Sequence, residues 1–270
     1  MVADTKNINL FADSHSVEVM VFSVILERPI NHVDIRKFED KINTIKKLYP
    51  SIESPSTIQF GIASQIQNFP PPPIPAKELN SYSADGKVEW SGLYHENVIQ
   101  VSCHKYKGWK ETWPKVKERL DILLSCLNLE KPIFSIDYRI INSFNAKKKG
   151  NVLNPCTLFK NSNKFIAPQI LQCTDPRWDF NQGWFDVEGE SLSKILVRID
   201  GNGRLENNQV IANIGIYHSD RERSKVEVIA KQSNGQSKVD QIFGNFHSKS
   251  KELLKKLIAS DLGERMNLNA

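Results

Sequence analysis

The chain is expected to fold as an α+β protein in two sheet-and-helix halves, with mostly antiparallel strands covered by amphipathic helices. Three observations carry that expectation. From Val98 to Phe144 the sequence reads strand, helix, strand, and Trp113, Val116, Leu120, Leu123, Leu124 and Leu127 recur at offsets of three, four and seven. Earlier in the chain Ile35, Phe38, Ile42, Ile45 and Tyr49 repeat at helical spacing after an apolar strand. Near the end, three segments separated by short turns precede a long helix whose apolar residues fall on one face. Burying the six side chains of the first stripe at about 1.5 to 3 kcal/mol each contributes roughly 10 kcal/mol, comparable to the net stability of a domain.

Taken in order, residues 1–16 offer few apolar anchors and read as a loose lead-in. Val17 to Leu26 is apolar at both parities, which predicts a strand central in its sheet or covered on both faces. Pro29 ends it, Asp34 is the expected N-cap of the next helix, and Pro50 stops that helix. Thr57 to Ala63 could form a short strand, and Pro70 to Pro73 with Pro75 predicts an extended, stiff connector. Lys87 to Tyr94 and the strand starting at Val98 are expected to form a hairpin. The basic stretch Lys147 to Lys149 followed by Gly150 is the clearest internal boundary, which gives halves at residues 17–144 and 151–262. In the second half, 192–200, 209–218 and 225–231 predict an antiparallel meander. A helix from Val239 to about Ile258 lies across it, and a frayed tail begins at Gly263.

Composition narrows the function. With 40% hydrophobic and 25% charged residues over 270 positions, the chain can bury a sizeable core. No apolar run approaches the length of a membrane span, and the start lacks the pattern of a secretory leader. Cys103, Cys126, Cys156 and Cys173 contain no CxxC pair, so free thiols in a reducing cytoplasm are expected, with no membrane partner. A net charge of +5 admits an acidic partner without requiring one.

No nucleophile elbow, zinc-helix motif or phosphate loop is present, so neither a catalytic residue nor a cofactor is assigned. Three interaction readings remain. Trp109, Trp178 and Trp184 are candidate anchors for a protein partner. Lys105, Tyr106, Lys107 and Lys110, with Lys147, Lys148 and Lys149, mix bases and aromatics as a nucleic-acid face would. The segment from Asp175 to Asp186 is the most chemically loaded loop, and Asp175, Asp179 and Asp186 would suit a hard divalent cation if folded together, the third reading being a metal-dependent enzyme.

The opening strand VEVMVFSVIL with Pro29, the helix ending LYP, the run VIQVSCHKYKGWKETWPKVKERL, the strand IDYRIINSF and the closing NFHSKSKELLKKLIASDLGERM also carry a likeness. In order and character they resemble an uncharacterised, sporadically distributed bacterial family of roughly 250-residue proteins, which spans nearly the whole chain. The polyproline run and the basic loop depart from its pattern. The resemblance implies an accessory protein of a mobile or defence-linked operon, working by contact with a co-encoded protein, and it assigns no role to any residue.

Overall fold

The computed structural model describes residues 5, 8–12, 14–54, 76–146, 155–160, 164–172, 179–188, 191–200, 211–221, 225–230 and 238–268. In chain order the strands are β1 (Ile8–Leu10), β2 (Val17–Leu26), β3 (Ser51–Glu53), β4 (Lys77–Tyr82), β5 (Val88–His95), β6 (Val98–Cys103), β7 (Ile133–Ala146), β8 (Asp179–Glu188), β9 (Ser191–Asp200) and β10 (Ile211–Arg221). The helices are α1 (His32–Asp40), α2 (Ile42–Leu48), α3 (Trp109–Leu124), α4 (Pro155–Leu158), α5 (Pro168–Leu171), α6 (Val226–Ala230), α7 (Lys238–Leu257) and α8 (Ser260–Arg265). Helices and antiparallel strands together make the expected α+β class. Among the described residues no helix is long and apolar enough to cross a membrane. The expected strand at 57–63 and the polyproline run lie outside the described residues.

Two compact units divide the chain, each drawn from separated stretches. The first takes Val21–Asp137 and Arg221–Gln241; the second takes Met1–Met20, Tyr138–Asp220 and Ile242–Ala270.

In the first unit the strand order is β3-β4-β5-β6-β2-β7, so the doubly apolar strand β2 is central, as its composition requires. Trp90, Gly92 and Tyr94 of β5 stand opposite Cys103, Val101 and Ile99 of β6, and these six share the face on which the helices pack. The α3 stripe is buried at Val116, Leu120, Leu123 and Leu124, and Leu127 follows it into the core. Gly92 sits opposite Leu79 of β4 because a Cβ there would lie 2.9 Å from Leu79 Cδ1 and 3.2 Å from the Tyr49 ring. That contact explains why the polar stretch of β4, which sequence pattern alone does not mark, joins the sheet through one buried leucine.

Arg119 interrupts the α3 stripe. It is buried, its guanidinium lies 4.3 Å from the centre of the Trp90 ring and 5.5 Å from that of Tyr49, and Nη1 donates to Lys115 O. The aromatic faces stand in for a carboxylate partner, and burial holds the arginine below its ordinary pKa.

The helix expected from Asp34 differs in its start and its continuity. Asn31 is the N-cap: its Oδ1 accepts from the Val33 and Asp34 amides while Asp34 Oδ2 accepts from the Asn31 amide, a reciprocal capping box. Lys41 then ends α1, and α2 begins at Ile42.

Asp34 has a second task. It is fully buried, and Oδ2 also accepts from Lys131 Nζ at 2.6 Å, while Oδ1 accepts from the Asn128 amide at 3.0 Å. Lys131 is buried too and donates to Pro29 O at 2.8 Å. Burial works against the carboxylate charge, but the Lys131 ammonium and the amides of Asn31 and Asn128 outweigh it and hold Asp34 below the usual range.

In the second unit β7 neighbours β10, followed by β9 and β8, and β1 pairs antiparallel with the end of β7. The meander is therefore β8-β9-β10: the strands expected at 192–200 and 209–218 are β9 and β10, paired antiparallel, whereas the third strand expected, at 225–231, does not belong to it. Val226–Ala230 is a short helix of the first unit, with Val226 and Ile229 buried three apart and Val228 exposed. Over five residues an alternating pattern does not separate strand from helix, and the missing strand is supplied by β8. The expected long helix is α7, with Phe243, Phe246, Leu253, Leu254 and Leu257 buried. The tail is not frayed: α8 buries Leu262, and Arg265 donates to Thr5 O and Ile8 O.

The buried pair yields the first prediction. Lys131→Met leaves Asp34 charged and sealed from water, and should lower unfolding free energy by about 3 to 5 kcal/mol in urea titrations. Lys131→Met combined with Asp34→Asn should recover a clear part of that loss; a single variant as stable as the parent would count against the pair.

Candidate interaction surfaces

The basic and aromatic loop lies between β6 and α3. Gly108 takes φ 97°, a conformation open to glycine, and turns the chain into α3 without a side-chain cap. Thr112 closes the turn, its amide donating to Gly108 O and its Oγ1 accepting from the Lys107 amide. Lys105, Lys107 and Lys110 are exposed around this turn.

The aromatic residues beside them have other duties. Trp109 stacks on Trp113 with centroids 5.2 Å apart and planes 8° from parallel, and both rings approach Phe22. Trp113 Nε1 donates to Asp240 Oδ1 at 2.8 Å, and Lys117 Nζ meets Asp240 Oδ2 at 2.7 Å. Tyr106 is half-buried, and burial pushes its phenol up to about 12. The structure thus brings Lys105, Lys107 and Lys110 to the surface while Tyr106 and Trp109 form the wall behind them. Lys147, Lys148 and Lys149 lie outside the described residues.

The segment expected as a loaded loop is in part a strand. Asp179–Glu188 is β8, paired with β9 over its full length from Asp179↔Asp200 to Glu188↔Ser191 without a register shift. Asp179 and Asp186 sit seven positions apart, about 23 Å at a strand rise of roughly 3.3 Å, too far to share one cation. Asp175 and Trp178 lie outside the described residues. Among the described residues no group of three or more His, Cys, Asp or Glu stands close enough to hold a metal ion.

β8 ends the strand order, and among the described residues no strand pairs with its outer edge. Along it Asn181, Gln182, Gly183 and Phe185 are exposed, Phe185 at 64%, whereas Trp184 is half-buried and stacked on Phe165 at 5.7 Å. This ten-residue edge carries neither proline, lysine nor bulge, and its charged residues are Asp179, Asp186 and Glu188.

The sequence carries no motif for the histidine chemistry of the second unit, since no two of the six histidines stand four apart. His218 and Ser250 are both buried, with Nε2 and Oγ 2.8 Å apart, and the His218 ring stacks on Phe246. Their burial leaves no approach for a substrate. Tyr138 Oη lies 3.3 Å from His247 Nδ1. Burial, and then the nearby Lys251 charge, bring His247 down to about 4. In the first unit Ser91 Oγ is 2.9 Å from His104 Nε2. The only sequence signal for these pairs was the position of His104 and His218 near strand ends. Burial also pushes the Cys103 and Cys126 thiols up to about 11; both are free, as the spacing led one to expect.

His247 sets a pH dependence with a definite sign. Below its ordinary value of about 6.5 the unfolded chain takes up a proton that the folded chain refuses until about pH 4, so stability falls as pH drops through that window. Between pH 7 and 5, His247→Gln should lose about 1 kcal/mol less than the parent, after allowance for partial exposure. Urea midpoints at the two pH values measure it, and equal losses would remove His247 as the cause. Comparison with known proteins adds no constraint on these surfaces: no family model matches the chain, and no match was found among curated proteins or solved structures.

Proposed function

We propose that the protein acts without chemistry of its own, in the cytoplasm, by binding a co-encoded protein, and that the contact is made along the edge of β8. The observation that carries this reading is the ten-residue edge that no strand pairs among the described residues, with Phe185 exposed on it. Backbone amides and carbonyls along such an edge supply affinity to an added strand, and an exposed aromatic ring supplies an anchor. Trp184, one of the tryptophans expected as anchors, stiffens the same strand by stacking on Phe165. The free thiols suit a reducing compartment.

Affinity purification from the native host, followed by mass spectrometry, tests the reading. One partner chain should be recovered in stoichiometric amount, and Phe185→Lys, which adds both a charge and a steric block at the edge, should reduce its recovery by roughly tenfold or more. Undiminished recovery with Phe185→Lys would move the contact off β8.

A second reading, nucleic-acid binding, has one observation in its favour: Lys105, Lys107 and Lys110 stand exposed on one turn. It is the weaker reading because the rings that would stack on bases, Tyr106 and Trp109, are half-buried against the protein. On the preferred reading, fluorescence titration with a single-stranded oligonucleotide should give weak binding at physiological salt. The triple change of these lysines to alanine should leave partner recovery within about twofold. Tight binding with a steep salt slope that the triple change flattens would reverse the order of the two readings.

A further inference from the structure

A groove between α2 and α3 lies wholly within the first unit, and its two walls are pinned at both ends. At one end Lys41 Nζ donates to Ser125 O at 2.9 Å and to Ser125 Oγ at 2.7 Å; at the other the Arg119 guanidinium stands 5.5 Å from the centre of the Tyr49 ring. The helices therefore run antiparallel, and each turns a stripe at offsets of three and four toward the groove: Thr44, Lys47 and Leu48 on α2, Glu118, Asp121 and Ile122 on α3. The space between them is about 400 Å³, toward the lower end of the range that small-molecule sites occupy.

The lining sorts by chemistry. Leu48 and Ile122, both half-buried, form an apolar floor. Lys47 stands exposed on the α2 wall and Glu118 and Asp121 stand exposed on the α3 wall, so one positive charge faces two negative ones across a hydrocarbon strip. Lys117, one turn before Asp121, is engaged by Asp240 Oδ2 at 2.7 Å. Desolvation raises the Asp121 carboxyl above its ordinary value against the pull of Lys117, and the Asp240 charge adds to the rise, so this carboxylate gains from a further cation beside it.

We infer that the groove binds a free basic amino acid, with lysine the best match. Its α-carboxylate complements Lys47, its two ammonium groups complement Glu118 and Asp121, and its methylene chain covers Leu48 and Ile122. An amino acid with an apolar side chain supplies one ammonium too few, and a diamine sets a like charge before Lys47. The site is independent of the β8 edge, and its failure would leave that reading untouched.

Isothermal titration of the whole protein with L-lysine at low salt should give a Kd of about 1 mM, the order expected of a ligand with about ten non-hydrogen atoms on an open site. L-norleucine, which lacks the terminal ammonium, and cadaverine, which lacks the carboxylate, should each bind about fivefold more weakly. Glu118→Gln with Asp121→Asn should weaken lysine about tenfold and abolish its advantage over norleucine, while Lys47→Met should abolish its advantage over cadaverine. All three positions are exposed, and an unchanged urea midpoint verifies that the variants fold. Amide resonances of 44–48 and 118–125 should shift as lysine is added. Lysine binding that both variants leave unchanged, or shifts confined to other residues, overturns the inference. Cadaverine binding as tightly as lysine makes the occupant a polyamine, and Nα-acetyl-lysine binding as tightly makes it the carboxyl end of another chain; either result overturns the free amino acid. Neither heat nor shift with lysine at roughly ten times the expected Kd overturns the site itself.

Discussion

The buried ion pair between Asp34 and Lys131 is the constraint on which the first unit depends. One carboxylate accepts from the Asn31 amide that opens α1, from the Asn128 amide in the turn after α3, and from the Lys131 ammonium. Lys131 in turn reaches Pro29 O, just past the end of β2. Two chain stretches distant in sequence, 29–34 and 128–131, are thereby fixed to one point. Two charges taken out of water cost several kcal/mol before they attract one another, so a pair like this adds little to total stability. What it supplies is uniqueness: only one placement of α1 against the 127–131 turn satisfies every donor and acceptor. Lys41, which donates to Ser125 O and Oγ, and Lys37, which reaches Leu127 O, repeat the arrangement on a smaller scale along the same seam.

Polar and aromatic residues that look like contact chemistry in this chain serve mainly to build it. Trp109, Trp113, Lys117 and Asp240 form a wall in which each finds its partner inside the first unit. Arg119 lies between two aromatic rings, and His218 and Ser250 satisfy one another in the core of the second unit. Once those groups are accounted for, a row of backbone groups along β8 remains that no strand pairs among the described residues. An interaction edge of this kind carries no signature residue, which is why searches for catalytic or ligand motifs pass over it.

Sequence pattern was informative where periodicity is long and weak where pairing decides. The α3 stripe and the apolar face of α7 extend over several turns, and most of their residues are buried as expected. β2 is doubly apolar because it is central. β8 was hidden because Asp, Asn and Gly in DFNQGWFDVE favour turns locally, and only its ladder with β9 overrides that preference. β4 was hidden for the same reason, being held by Leu79 against Gly92. The capping box was half legible: Asp34 was recognised as a helix-start residue, but Asn31 was the cap, and the partner that makes Asp34 important lies 97 positions away. The candidate edge needed the strand order, which composition does not contain.

The second unit also joins the two ends of the described chain. Arg265 of α8 donates to Thr5 O and Ile8 O, and β1 lies on the far end of β7. During synthesis, at about 5 to 20 residues per second, the strand at Ile8–Leu10 emerges well before β7 and earlier still than α8. The first unit likewise waits for Arg221–Gln241. The first unit lacks a part until Gln241 is made, and the second until the residues after it, α8 among them, are made. A ribosome stalled before Arg221 is reached would therefore hold two incomplete cores, open to chaperones and proteases for as long as the stall lasts.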